Sequence, residues 1–143
     1  MSLAICPNQP HTIALGSEDG CIRLFDMRYI KHSRKRVINF GGKKKGRSVY
    51  VDNWTIPIEL LSGHSFGVLD LEFHPKYTNR LVSCSYDMSV AVWDVFGSFS
   101  ESSSSSPLLG QYDQIHSEFV SGVSWSRFHD SRIATASWDE TLA

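Results

Sequence analysis

The sequence predicts an all-β fold built from repeated four-stranded units, and its self-similarity carries this prediction. The chain matches itself when shifted by 52 residues, so that residues 64–68 and 80–87 fall on residues 116–120 and 132–139. A third copy, shifted by 68 residues, runs through residues 3–26. A period of about 40 to 50 residues is typical of repeat architectures, because one unit cannot bury its apolar face without a neighbour.

The second copy shows the strands of one unit. Residues 68–73 alternate apolar and polar side chains, which is the period of a half-buried strand. Residues 81–85 are small or β-branched and give a second strand, which a turn at residues 86–88 separates from a third strand at residues 89–95. Residues 108–112 can form a fourth, outer strand.

The copies divide the chain into three units. The first covers residues 1–62 with an insertion at 28–55, and the second covers residues 63–112 with a Ser-rich insertion at 98–107. The third unit, residues 113–143, stops before its third strand is complete, and the first begins inside its innermost strand. We therefore expect a fragment or a truncated gene product of about three units.

Composition excludes several classes of protein. The chain has 143 residues, is 41% hydrophobic and has a net charge of -1, which is ordinary globular composition. No apolar run approaches the roughly 18 residues of a membrane span, and the N-terminus does not resemble a secretory signal. Its three cysteines form no C-x-x-C pair and are expected to be reduced thiols in a cytosolic protein.

Two residue pairs mark the units. Gly63-His64 and Trp93-Asp94 form the G-H…W-D signature of β-propeller blades. The third unit repeats the spacing of 23 residues that separates His64 from the turn residue Asp87. On these markers the chain resembles the WD-repeat family, which implies a partial β-propeller of about three blades.

The resemblance to WD-repeat blades also implies a buried hydrogen-bond chain that fixes strand register. It joins the His of the G-H pair, the turn Asp, a strand Ser or Thr, and the Trp. In the first unit Phe25 replaces the Trp and Leu15 stands where the second unit has Ser83, so its chain is expected to be partial or absent. The residues implied are His64, Ser83, Ser85, Asp87, Trp93, His116, Asp139 and Asp19.

A narrower resemblance rests on three segments. Residues 83–90, residues 109–119 and residues 137–141 resemble the last blades of the peroxin-7 family, the cytosolic receptors for the type-2 peroxisomal targeting signal. The likeness excludes both insertions. It implies binding of a basic, amphipathic N-terminal helix on peroxisomal matrix proteins, and delivery with a co-receptor to the peroxisomal docking complex by a protein that cycles between cytosol and peroxisome.

The same resemblance places the residue before each turn Asp on the cargo-facing surface. These residues are Glu18, Tyr86 and Trp138, and Glu118 and Phe119 at the start of an innermost strand can join them. A carboxylate beside aromatic rings can pair with Arg or Lys and cover an apolar helix face. The alternative is that Tyr86 and Trp138 shield the seams between blades.

Two other functions are weighed. Residues 28–47 hold nine of the 14 basic residues, which suggests either a nucleic-acid-binding WD-repeat adaptor or, as we favour, a solvated loop. An enzyme is not expected, because Ser, His and Asp recur with every unit whereas an active site is built once. No Cys or His pair has zinc spacing, so neither metal nor cofactor is expected.

Overall fold

The chain folds into antiparallel sheets. The computed structural model describes residues 1–29, 57–96 and 106–143, so the basic insertion from residue 30 onward and the Ser-rich run up to residue 105 lie outside the described residues. The described part contains strands and one short 3-10 turn, Met27–Tyr29, which confirms the all-β prediction. The strands are β1 Ser2–Ile5, β2 Thr12–Gly16, β3 Cys21–Asp26, β4 Glu59–Ser62, β5 Val68–Phe73, β6 Arg80–Ser85, β7 Val90–Asp94, β8 Leu108–Tyr112, β9 Val120–Trp125 and β10 Ile133–Ser137.

The strands form three sheets in the described residues. The first has the order β1-β2-β3-β4, the second β5-β6-β7-β8, and the third pairs β9 with β10. Each neighbour is antiparallel and consecutive along the chain, as expected for units joined by short turns. The third sheet is extended by a bridge between Ala136 and Leu142. The predicted unit boundaries, which stay a prediction, follow the last strand of each four-stranded sheet.

Strand β6 shows why the second unit is rich in small and β-branched residues. Its Val82 and Cys84 belong to the apolar core shared with the third sheet, while Leu81 belongs to the core shared with the first. Because side chains alternate between the two faces of a strand, β6 is covered on both sides. Burial is accordingly continuous from Leu81 to Ser85. The Cys84 thiol is unpaired, and burial raises its pKa to about 12.

Carboxylates join the second sheet to the third. The edge amide of Trp125 donates to Glu72 Oε2 at 2.6 Å, and that of Val123 donates to Asp70 Oδ2 at 3.3 Å. The Trp125 indole N–H also donates to the Glu72 carbonyl at 3.2 Å. The acidic side chains of β5 thus satisfy edge amides of β9, which would otherwise be open to another strand.

His74 is a buried residue at the seam between the second and third sheets. It follows β5 directly, but its side chain is covered by the third sheet and its ring centroid lies 4.6 Å from that of Trp125. Nδ1 accepts the backbone N–H groups of Lys76 and Tyr77, so Nε2 carries the proton and donates to the Asp130 carbonyl at 3.0 Å. The loop conformation is what brings both amides onto one ring nitrogen.

Candidate functional site

A buried polar chain crosses the second sheet. His64 Nε2 and Trp93 Nε1 each lie 2.8 Å from Ser83 Oγ, and His64 Nδ1 lies 3.0 Å from Asp87 Oδ2. All but Asp87 are buried, and the Asp87 side chain is itself largely covered. The chain links the approach to β5, the middle of β6, the β6–β7 turn and β7, which is how it fixes the relative position of the strands.

The donors and acceptors determine where the protons lie. Trp93 Nε1 is a donor only, so the Ser83 hydroxyl accepts from it and can donate to His64 Nε2. The His64 proton is then on Nδ1, where it faces the Asp87 carboxylate. This arrangement satisfies every member with a neutral imidazole. A protonated ring would place two donors on Ser83 and leave its hydroxyl hydrogen without an acceptor in the chain.

Two further residues complete the chain and were not predicted. The Ser89 hydroxyl donates to Asp87 Oδ1 at 2.6 Å and accepts the Gln111 amide at 2.9 Å, which extends the chain to the outer strand β8. The sequence held a signal for Ser89, because a hydroxyl residue follows the turn Asp by two positions in both the second and third units. No comparable repeated position in the sequence pointed to Gln111.

The third sheet repeats the geometry. His116 Nδ1 lies 3.0 Å from Asp139 Oδ2, and its Nε2 lies 2.8 Å from the hydroxyl of Thr135, which takes the position of Ser83. Thr141 donates its hydroxyl to Asp139 Oδ1 at 2.5 Å, as Ser89 does to Asp87. The hydrogen bond from Thr141, helped by the backbone amide of Ser117, holds the pKa of Asp139 below its usual range.

The pKa of Asp87 is also well below its usual range, although two effects compete. Burial by itself raises this pKa, but the hydrogen bonds of the carboxylate with His64, Ser89 and the Ser65 amide lower it by more. Asp87 is therefore a stable carboxylate, which can accept the hydrogen on His64 Nδ1.

Two of the residues predicted for the buried hydrogen-bond chain do not belong to it. The Ser85 hydroxyl donates to the Phe66 carbonyl and accepts the Asp87 amide, so it supports the turn and does not contact His64 or Trp93. Asp19 pairs with Arg23 at 2.6 Å instead of with a His, and this ion pair holds its pKa below the usual range. The first unit thus replaces the buried chain by a surface ion pair, in line with its departures from the sequence pattern.

Gly63 has a steric role in this scaffold. A Cβ at this position would lie 2.7 Å from Trp93 Cη2, closer than real Cβ contacts come. The glycine of the G-H pair therefore leaves room for the indole that donates to Ser83.

The turns of the β2–β3, β6–β7 and β9–β10 hairpins lie at the same end of the three sheets. We call this end the turn face. It comprises residues 17–20, 63–67, 86–89, 113–119 and 138–141. Backbone hydrogen bonds hold these segments together: Val68 N donates to Ser17 O, Tyr86 N to Gly67 O, and Trp138 N to Phe119 O, at 3.0, 3.1 and 3.0 Å. Each inner strand thus begins beside a turn, and the residue before each turn Asp lies on this face.

Three predicted surface residues meet as an aromatic cluster on the turn face. The Phe119 ring packs edge-to-face against Tyr86, with centroids 5.2 Å apart, and against Trp138, with centroids 5.8 Å apart. Tyr86 remains 42% exposed and Trp138 65% exposed. Phe119 therefore spans the seam between the second and third sheets, and the outer two rings present accessible apolar faces.

The two predicted acids lie at the borders of this cluster. Glu18 and Tyr86 flank Gly67: a Cβ there would be 3.2 Å from Glu18 Cα and 3.6 Å from Tyr86 Cδ2. Glu118 directly precedes Phe119; its carbonyl accepts the Ser137 hydroxyl, and the residue is exposed. The structure thus brings together Tyr86, Phe119 and Trp138, and it places the backbones of Glu18 and Glu118 next to members of this cluster.

Charge is divided between the two ends of the sheets. The turn-face segments contain no Lys or Arg of their own, although Arg23 of β3 pairs there with Asp19. Their acids are Glu18, Asp19, Asp87, Asp113, Glu118, Asp139 and Glu140. The opposite end comprises residues 6–11, 26–29, 74–80, 94 and 126–132. Its bases are Arg28, Lys76, Arg80, Arg127 and Arg132, and its acids are Asp26, Asp94 and Asp130. The described part of the chain therefore presents an acidic aromatic end and an end of mixed charge.

Neither a metal centre nor a membrane helix is found in the part of the chain that the structure describes. No three His, Cys, Asp or Glu side chains cluster there as metal ligands would, and none of the described helices is long and apolar enough to cross a membrane.

The sheets and the buried chain define a partial WD-repeat β-propeller. Residues 55–94 match the WD40 family, described as "WD domain, G-beta repeat", which confirms the predicted repeat family and fold. This match covers the second sheet up to the end of β7 together with the outer strand β4 of the first, so the buried His64–Trp93 chain lies inside it.

Among curated proteins the chain is similar to peroxisomal targeting signal 2 receptors. It is 37% identical over 76 residues to the receptor of Dictyostelium discoideum, covering 53% of this chain and 22% of that protein. To the receptor of Mus musculus it is 34% identical over 86 residues, covering 60% of this chain and 24% of that protein. The chain also matches human Coronin-7, with 32% identity over 124 residues, 87% of this chain and 10% of that protein. It thus spans a quarter or less of the length of these three relatives.

Proposed function

We propose that the turn face binds a basic, amphipathic helix, and that the protein is a receptor for type-2 peroxisomal targeting signals. The observation that carries the proposal is the cluster of Tyr86, Phe119 and Trp138, with Glu18 and Glu118 nearby, on an end of the sheets whose described turn segments contain seven acids and no Lys or Arg of their own. Such a surface suits a helix that carries apolar side chains on one face and bases on the other.

Each part of the surface has a partner on such a helix. The exposed faces of Tyr86 and Trp138 can cover leucine side chains, and aromatic rings near carboxylates also attract Arg. Glu18, beside Gly67 and Tyr86, and Glu118, next to Phe119, are exposed carboxylates that can pair with bases of the helix. The arrangement favours binding over turnover, because it offers apolar area and charge but no activated nucleophile.

The relatives support the class of ligand. Proteins named as peroxisomal targeting signal 2 receptors resemble the chain over more than half of its length. We infer the same cargo for this protein: peroxisomal matrix proteins with an N-terminal type-2 signal. Delivery of the cargo by this protein, together with a co-receptor, to the peroxisomal docking complex, and cycling between cytosol and peroxisome, are part of the same proposal.

The test is a binding titration of the purified protein with a fluorescent helix of pattern R-L-x5-H-L. A scrambled peptide of the same composition is the control, because it keeps the charge and loses the amphipathic face. Saturable binding of the patterned helix, with at least tenfold weaker binding of the scrambled one, is expected. Equal affinity for both peptides would contradict recognition of a helix face.

A second candidate is a WD-repeat adaptor with another ligand. The match to Coronin-7 over 87% of this chain and the basic residues in the insertion favour it. Titration with duplex DNA at two salt concentrations distinguishes it from the receptor. Salt-dependent DNA binding that is lost when Lys43, Lys44, Lys45 and Arg47 are neutralised, without peptide binding, would support the adaptor and overturn the receptor.

A further inference from the structure

Three equivalent hairpin turns share one left-handed backbone position but carry different residues there. In each, the residue after the turn Asp is left-handed: φ is 77° at Gly20, 64° at Met88 and 64° at Glu140. The turns share their hydrogen bonds, with the left-handed residue donating to the carbonyl three residues before it at 3.3 Å in all of them. This is the three-residue hairpin loop in which a type I turn is followed by a left-handed residue, a position that favours glycine.

The first unit obeys this preference and the others do not. Gly20 also lies close to the second sheet, where a Cβ would be 2.4 Å from the His64 carbonyl oxygen. Met88 carries a long side chain in the same conformation, which L-residues with a Cβ adopt at an energetic cost. Backbone strain of this kind clusters at binding sites, where the side chain itself is needed.

The surroundings of Met88 indicate what that side chain is for. It is 38% exposed and lines an apolar cavity of about 650 Å³ together with Phe66, Tyr86 and Phe119. Phe66 is also exposed, and the cavity opens on the turn face next to the aromatic cluster. The pocket is mostly apolar, with Asp87 among its lining residues, and it opens on the turn face with its acidic segments, so its chemistry suits an aliphatic side chain presented by a basic helix.

We infer that Met88 is a specificity-determining residue, which holds one leucine of the bound helix in the pocket formed with Phe66, Tyr86 and Phe119. This inference rests on the proposed function. Methionine suits the role because its unbranched, polarisable side chain adapts to the aliphatic group that it contacts. The second unit thus keeps a strained methionine where glycine would favour folding.

Two substitutions separate the side chain from the backbone. Met88→Gly removes both the side chain and the strain, whereas Met88→Gln keeps the length and the strained backbone but removes the apolar tip. Both variants are expected to bind the R-L-x5-H-L helix about fivefold more weakly, the effect of losing part of one buried apolar contact. Met88→Gly is also expected to unfold at an equal or higher urea concentration than the natural protein.

Leu→Ala substitutions in the helix identify the leucine. One of them is expected to weaken binding to the natural protein severalfold and to have little further effect on Met88→Gly, because both changes empty the same pocket. Glu140→Gly is the matched control: it relieves the same strain in the third unit, and it should leave the effect of every Leu→Ala change intact.

The outcomes are distinguishable. If the natural protein does not bind the helix, the proposed function fails. If it binds, and Met88→Gly and Met88→Gln bind equally well, the inference about Met88 is overturned while the receptor stands. Weaker binding by Met88→Gly alone would assign the effect to the turn backbone and would also overturn it.

Discussion

The imidazole of His64 faces the carboxylate of Asp87 at 3.0 Å, and the same distance separates His116 from Asp139. In both sheets this contact joins the segment before the first strand, β5 or β9, to the turn that follows the next strand, β6 or β10. The residue before the turn Asp is Tyr86 in one sheet and Trp138 in the other. The buried contact therefore fixes the backbone from which the exposed aromatic rings project, so the structural network and the proposed binding surface are one assembly.

The hydroxyl of Ser83 is predicted to be the most sensitive point of the buried chain. In Ser83→Ala both His64 Nε2 and Trp93 Nε1 lose their shared partner, and we expect a loss of about 1–3 kcal/mol in the free energy of unfolding. Urea unfolding followed by tryptophan fluorescence measures it. Ser83→Thr is the control: Thr135 fills the equivalent position, so this variant should retain more stability than Ser83→Ala. The reverse order would contradict the assignment.

The carboxylate of Asp87 predicts how stability depends on pH. Its pKa in the folded protein is lower than in the unfolded chain, so the unfolded state binds a proton more readily and stability increases with pH in that range. The contribution of Asp87 is therefore complete above about pH 4, the usual pKa of an aspartate, and is lost as the pH falls below it.

Asp87→Asn tests this dependence, because asparagine keeps the shape and does not titrate. Urea midpoints of both proteins are measured between pH 7 and the acid limit of folding. We expect the natural protein to be more stable at pH 7, and the difference to shrink on acidification below about pH 4. Midpoint curves that stay parallel over the whole range would mean that Asp87 is not held as a carboxylate by the fold.

The indole of Trp138 is predicted to contribute to binding and little to folding. Because 65% of it is exposed, Trp138→Ala should leave the urea midpoint nearly unchanged while weakening the R-L-x5-H-L helix about 10- to 30-fold, as for an aromatic residue central to an interface. Phe128→Ala is the matched control, since Phe128 is 88% exposed at the opposite end of the sheets. If Phe128→Ala weakened the helix as much, the turn face would not be the binding site.

The sequence predicted features that depend on local repetition. The separation of 23 residues between His64 and Asp87 indicated their pairing because it recurs, and the alternation in residues 68–73 predicted β5. In the first unit, Leu15 and Phe25 depart from the repeat pattern, which indicated that Asp19 would not belong to a buried hydrogen-bond chain. The ion pair of Asp19 with Arg23 was not predicted.

Other features depend on how the sheets pack, which one sequence does not reveal. Glu72 and Asp70 look like the solvent-facing positions of an alternating strand, yet they accept edge amides of the third sheet. His74 looks like a loop residue because only the neighbouring sheet buries it. The left-handed backbone of Met88 was likewise hidden, because the glycine that usually marks this conformation is absent from its turn.

A charge-reversal cycle tests most directly whether the turn face binds a basic helix. Affinities are measured for the R-L-x5-H-L helix and for a helix with its Arg changed to Glu, each against the natural protein and Glu18→Lys. We predict that Glu18→Lys weakens the natural helix about tenfold and that the reversed helix binds Glu18→Lys better than it binds the natural protein. Equal affinity of the natural helix for both proteins would contradict the account.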